Sequence, residues 1–144
     1  MTIRPEPTLT YEFSLHVDLA EGWLDTSSGG SGGYVTPIIG GTSEGRLTGR
    51  VLPVGADWSR RVGSTSRLDA RYLIESDEYG IVHVRTTGYY RVLGEGADVT
   101  LAYFRIAAEF DSAHPALAWL TEHQLIGAAE DLGDAIRIHF SSVH

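Results

Sequence analysis

Apolar and polar residues alternate along most of this chain, and a period of two is the mark of strands with one face buried and the other wet. Tyr11, Phe13, Leu15, Val17 and Leu19 fall on one face, with Glu12, Ser14, His16 and Asp18 on the other. Leu47, Gly49 and Val51 alternate with Arg46, Thr48 and Arg50, and Leu68, Ala70, Tyr72 and Ile74 alternate with Asp69, Arg71 and Glu75. Ile81 to Tyr90, Thr100 to Phe110 and the closing run Ile136, Ile138 and Phe140 against Arg137 and His139 extend the series. Asp77-Glu78-Tyr79-Gly80 and Asp131-Leu132-Gly133-Asp134 read as hairpin loops, because glycine supplies the positive φ they need.

One helix is predicted, starting near Pro115, whose fixed φ suits a first helical turn, with Leu117 and Leu120 on one face and Trp119 beside them. The tract Thr26 to Gly33, T-S-S-G-G-S-G-G, reads as a flexible loop. Many short strands with evenly spaced turns predict an all-β fold: a single antiparallel β-barrel, calycin-like or related, with one short helix near the C-terminus, because closure hides the sheet edges. A single domain over residues 1–144 is expected, since a chain that is 42% hydrophobic can bury a core without staples.

Charge and composition narrow the chemistry. A formal net charge of -8 repels phosphate backbones and anionic membranes, so neither nucleic acid nor a membrane is expected as a partner. No apolar run is long enough to span a bilayer, and the start M-T-I-R-P-E-P lacks the apolar centre of a signal peptide, which predicts a soluble, cytoplasmic protein. Cysteine is absent, which removes disulfides and thiol catalysis, and all 11 basic residues are arginine, which removes lysine Schiff-base chemistry and a Walker-type phosphate loop. Asp, Glu, His, Tyr, Ser, Thr and Arg are left as catalytic groups, with no cofactor implied.

The segments I-I-G-G-T-S-E-G (Ile38 to Gly45), G-R-V-L-P-V-G-A-D-W (Gly49 to Trp58) and L-D-A-R-Y (Leu68 to Tyr72), followed by Y-F-R-I-A-A-E-F-D (Tyr103 to Asp111) and A-W-L (Ala118 to Leu120), run in an order that resembles the family known as domain of unknown function 3237. The resemblance covers nearly the whole chain, with departures at Ser43 and Val54. It implies a small β-barrel, often oligomeric, for which no general activity is established. A homodimer or higher homo-oligomer is therefore expected, with Tyr89 and Tyr90 as exposed aromatics in need of cover.

Several residues are candidates for a site. Gly41 to Gly45 and Gly29 to Gly33 each fit G-x-S-x-G, yet neither leads from a strand into a helix, the context in which that serine becomes a nucleophile. The six histidines show no close metal-ligand spacing, so no metal is expected, and His83 is instead a candidate ligand contact on a strand. Asp57-Trp58 follows Pro53 and Gly55 where a strand end and a barrel mouth are expected; the pair either faces a ligand or fixes a turn and caps the core. Arg71, Arg85 and Arg105 sit among apolar neighbours and need partners such as Asp57, Asp69 or Glu75. They either clamp an anion or carbonyl, or form an ion-pair belt outside, and Tyr72 and Tyr103 either donate hydrogen bonds to a ligand or fill space.

Three functions follow from these residues. In the first, the barrel is a cofactor-independent lyase, isomerase or cyclase acting on a small aromatic or carbonyl-containing molecule. Asp57 is then the acid or base, Arg71 and Tyr72 polarise oxygen, and Trp58, Asp69, His83, Arg85, Tyr103 and Arg105 bind the ligand. In the second, the same pocket binds or carries a small molecule without turnover. In the third, the barrel is filled by its own side chains and serves protein interaction.

Overall fold

A computed structural model of the protein describes residues 5–25 and 32–144. Among the described residues nine strands run β1 (Leu9–Leu19), β2 (Trp23–Asp25), β3 (Gly33–Gly45), β4 (Gly49–Val62), β5 (Thr65–Ser76), β6 (Gly80–Leu93), β7 (Thr100–Asp111), β8 (Leu125–Asp131) and β9 (Ala135–Val143). Their order is β1-β9-β8-β7-β6-β5-β4-β3, and β1 pairs back onto β3, so eight strands close an antiparallel barrel. The short β2 adds to the edge of β3, pairing Trp23 with Val35. Of the tract read as a flexible loop, residues up to Ser31 lie outside the described residues, and Gly33 opens β3.

Both anticipated hairpins form. Gly80 turns at φ +82° between β5 and β6, with the Ser76 hydroxyl accepting from the Tyr79 N–H at 3.1 Å. Gly133 turns at φ +90° between β8 and β9, where the Asp131 carboxylate accepts from its N–H at 2.9 Å. Strand β4 continues to Val62, so Asp57 stands mid-strand rather than at a strand end. The expectation erred because Pro53 looks like a terminator, whereas here it sits in a bulge, where its missing N–H breaks no ladder bond. From Val51 to Gly55 the chain takes four steps against two on β5, so the inward parity of β4 survives the bulge. Gly55 adopts φ +94°, and a Cβ there would collide with the Arg71 carbonyl oxygen, so only glycine lets β4 and β5 meet at this point.

The two ends of the barrel differ. At one end Phe13, Phe110 and Phe140 meet at ring-centroid distances of 4.9 to 5.6 Å, with Trp119 edge-on to Phe13 at 5.9 Å. The helix Pro115–Thr121 covers this end. It is a 3₁₀ helix of seven residues, whose period of three puts Leu117 and Leu120 on one buried face. His114 caps it, its ring Nδ1 accepting from the Ala116 N–H at 3.1 Å. Aromatic volume thus plugs one mouth, while the smaller inward residues of the other half leave space. No helix among the described residues is long and apolar enough to cross a membrane.

Candidate functional site

The unplugged half of the barrel holds a cavity of about 920 Å³, a volume in the range of sites for small organic molecules. Val17, Ile38, Leu68, Phe104, Ile106 and Ile138 supply an apolar wall, each an inward residue of its strand. Near the rim, Tyr90 reaches from β6 to the β8–β9 turn and donates its hydroxyl hydrogen to Asp131 at 2.9 Å. This end of the interior is therefore open space and not a core filled by its own side chains.

Asp57 is set into that wall from β4, paired across the ladder with Thr36 on one side and Ala70 on the other. Its Oδ1 accepts from the Asp69 N–H at 3.1 Å. Burial pushes its carboxyl from an ordinary 3.8 up to about 6; that N–H pulls against the rise, and the neighbouring charge of Asp69 adds to it. Next in the same row, Ala70 pairs with Thr86 of β6, whose side chain is buried and also lines the cavity. A methyl group between the carboxylate and the threonine leaves room for a ligand atom against this row.

Tyr72 lies one inward position further along β5, diagonal to Asp57. It is 5% exposed, and its hydroxyl has no hydrogen-bond partner. Burial, and then the charge of Asp57, raise its phenol far above the usual range, so it stays protonated and keeps its hydrogen to donate at physiological pH.

The other sequence candidates lie outside the barrel, because successive residues of a strand point to opposite faces. Trp58 cannot share a wall with Asp57, nor Arg71 with Tyr72. Trp58, Asp69, Arg85, Tyr103 and Arg105 converge instead on an outer hollow over β3–β8, where Arg85 meets Asp69 at 3.4 Å. Arg71 and His83 border a second outer hollow beside Gly55, with Arg85 again at its edge. Asp57, Trp58 and Arg71 therefore do not line one mouth. Of the carboxylates offered as arginine partners, Asp69 holds Arg85 and Glu75 holds Arg50 at 3.0 Å, whereas Asp57 serves none of these arginines.

Ser43 does not stand on a nucleophile elbow: it lies within β3, buried, and donates to the Leu47 carbonyl at 2.6 Å. Most of the second G-x-S-x-G window lies outside the described residues. Among the described residues no three His, Asp or Glu side chains converge as metal ligands would. Tyr90, expected to be exposed, turns inward onto Phe104 with ring centroids 5.1 Å apart. Thr86 was not among the sequence candidates and Tyr90 was expected on the outside, although both share the parity of Val82 and Val84 on the inner face.

Comparison with known proteins places these features in a family. The model of the family described as "Protein of unknown function (DUF3237)" matches residues 7–143. A UPF0311 protein of Rhodopseudomonas palustris (strain TIE-1) is 32% identical over 152 residues, covering 95% of this chain and 98% of its own. Among solved structures, a beta-barrel like protein from Acinetobacter baumannii superposes over the whole of both chains with a TM-score of 0.88 at 28% identity. An enzyme from Penicillium herquei does so with a TM-score of 0.78 at 21% identity, a likeness of fold alone.

Proposed function

Since the chain belongs to the family described as protein of unknown function DUF3237, a description that assigns no chemistry, we propose a function from its cavity. The barrel encloses a small, largely apolar organic molecule and moves a proton on it, with Asp57 as the general base and then the general acid. The observation that carries this reading is a largely buried carboxylate in a mostly apolar cavity, with Tyr72 diagonal to it on the neighbouring strand.

Burial makes Asp57 a better base than an aspartate in water while leaving it mostly ionised. With a pKa of about 6 it is roughly nine-tenths deprotonated at pH 7. A bound molecule held against it by the aliphatic wall surrenders a proton to Oδ2, since Oδ1 is engaged by the Asp69 N–H. The resulting carboxylic acid returns that proton to another atom of the same molecule. Lyases, isomerases and cyclases of the cofactor-independent kind share this pair of steps, and orientation in the cavity supplies the remaining acceleration. The like-folded protein from Penicillium herquei is an enzyme, so a barrel of this shape can house catalysis.

The test is a panel of small aromatic ketones, enones and phenols, screened first by thermal shift and then for conversion. Binding raises the melting temperature by linkage. The expected result is a ligand that is converted by the native protein and bound, but not converted, by Asp57→Asn, whose amide keeps the shape and cannot accept the proton. Equal conversion by both proteins would remove Asp57 from the chemistry. Binding with conversion in neither protein would make the barrel a carrier.

A further inference from the structure

The buried Tyr72 hydroxyl specifies more of the ligand than the carboxylate does. We infer that the substrate is an enolisable carbonyl compound whose oxygen is held by Tyr72 while Asp57 takes the proton from the adjacent carbon. The inference deepens the reading of Asp57 as a base and rests on it.

Among the described residues, Tyr72 carries the one buried side-chain oxygen or nitrogen without a hydrogen-bond partner. Native proteins satisfy nearly all such groups, and the exceptions cluster where function requires them. Here the residue that carries the orphan lines the cavity, on the inward face of β5, diagonal to Asp57 across the β4–β5 ladder. Diagonal neighbours in an antiparallel pair stand roughly 7–8 Å apart. The carboxylate and the hydroxyl are thus close enough for the charge of one to act on the other, yet no hydrogen bond joins them.

The chemical character of the two groups then suits a ligand with an acceptor beside an acidic C–H. Tyr72 remains protonated, so it can donate to an acceptor atom of the ligand; Asp57 is ionised at neutral pH, so it can take a proton from the ligand. A carbonyl with an α-hydrogen offers both, two bonds apart. The Asp57 oxygen accepts the α-hydrogen, and the C–H pair becomes the carbon–carbon double bond of an enolate. The carbonyl pair moves onto oxygen, where the Tyr72 O–H meets the charge as it develops. The protonated Asp57 then returns the proton to the γ-carbon where a β,γ-double bond extends the enolate, or to an oxygen expelled from the β-carbon as the enolate collapses to an enone, and neither outcome needs an oxidant or second reactant. The hydroxyl is sealed from bulk water, the setting in which a donor to an oxyanion acts most strongly. Its oxygen is also covered by surrounding atoms, so the incoming ligand must displace what covers it to meet it.

The probe is 2-tetralone, an apolar enolisable ketone, compared with its hydrocarbon counterpart tetralin. In the native protein the infrared carbonyl stretch of bound 2-tetralone should move to lower frequency, and its α-hydrogens should exchange with D₂O faster than in buffer. Tyr72→Phe should abolish that shift, weaken 2-tetralone about fivefold to tenfold with tetralin unchanged, and slow exchange about 10²- to 10³-fold. Asp57→Asn should keep the carbonyl shift and lose the exchange. A carbonyl stretch that is the same in Tyr72→Phe overturns the assignment of Tyr72, and failure of the native protein to bind 2-tetralone at millimolar concentration overturns the substrate class. If the shift depends on Tyr72 but no exchange occurs in the native protein, the Tyr72 contact stands and the role of Asp57 as base falls. Melting curves separate these outcomes from misfolding, because removal of an unpaired hydroxyl leaves the fold without a lost bond.

Discussion

Replacing Asp57 by asparagine should stabilise the protein above pH 6 relative to its behaviour below pH 4, the opposite of what a structural aspartate does. In the folded state burial lifts the carboxyl from an ordinary 3.8 to about 6. The folded protein therefore holds this proton more tightly than the unfolded chain. Stability from this group is fully present below about pH 4, is lost as pH rises through about 6, and stays level above. At about 1.4 kcal/mol per pH unit the gap corresponds to roughly 3 kcal/mol. Asparagine keeps the acceptor for the Asp69 N–H but does not ionise, so the difference in unfolding free energy between the two proteins should change by roughly 3 kcal/mol between pH 4 and pH 8. The new amide hydrogens need acceptors and offset about 1 kcal/mol at every pH, which leaves a net gain of about 2 kcal/mol at pH 8. Urea melts of both proteins at the two pH values measure the quantity directly, and because all other carboxylates are common to the pair they cancel. A pH-independent loss of about 0.5–2 kcal/mol in Asp57→Asn would show that Asp57 only fixes local backbone, and the reasoning would fail.

Other changes probe the frame around the cavity. Gly55→Ala should prevent correct closure of β4 on β5, since its Cβ meets the Arg71 carbonyl at a φ that alanine avoids; loss of the cooperative melt is expected, and a native-like melt would show that the bulge yields. Arg46 pairs with Glu12 at 2.9 Å and lies 4.2 Å from the Trp119 ring centroid, so Arg46→Ala should cost about 1–3 kcal/mol in a urea melt, against a smaller loss in Glu12→Gln. A ligand in the cavity should raise the melting temperature yet leave Trp58 emission unaltered, because Trp58 faces outward; strong quenching would move binding to the outer hollow. Self-association is expected through the outer face of β4–β7, where Trp58, Tyr89 and Tyr103 are exposed, and a monomer mass by light scattering at micromolar concentration would remove that expectation.

The strands were legible wherever one face is buried and the other wet. The period of two in Phe13, Leu15 and Val17, or in Ala70, Tyr72 and Ile74, is a direct imprint of the barrel wall. Strand β3 was harder to read because Pro37 and the Gly40-Gly41 pair interrupt its pattern at a bulge, where the chain needs conformations that side chains resist. The end of β4 was misplaced for the same reason, since Pro53 marks a bulge as readily as a terminus.

Alternation also contains the answer to which candidates share a site, and here local spacing misled. Asp57-Trp58 and Arg71-Tyr72 look like units because they adjoin in sequence, but in a strand adjacency guarantees separation: one member enters the barrel and the other leaves it. Parity along β4 and β5 assigns Asp57 and Tyr72 to one interior and Arg71 to the opposite surface, provided the bulge between Val51 and Gly55 adds an even number of residues. That proviso is set by backbone geometry around Gly55 and leaves no clear mark on hydrophobic pattern. An odd insertion would have turned Asp57 outward and put Trp58 into the cavity in its place. The inward placement of Asp57 therefore depends on a two-residue offset held by a glycine in close contact with Arg71, two residues before the carboxylate it orients.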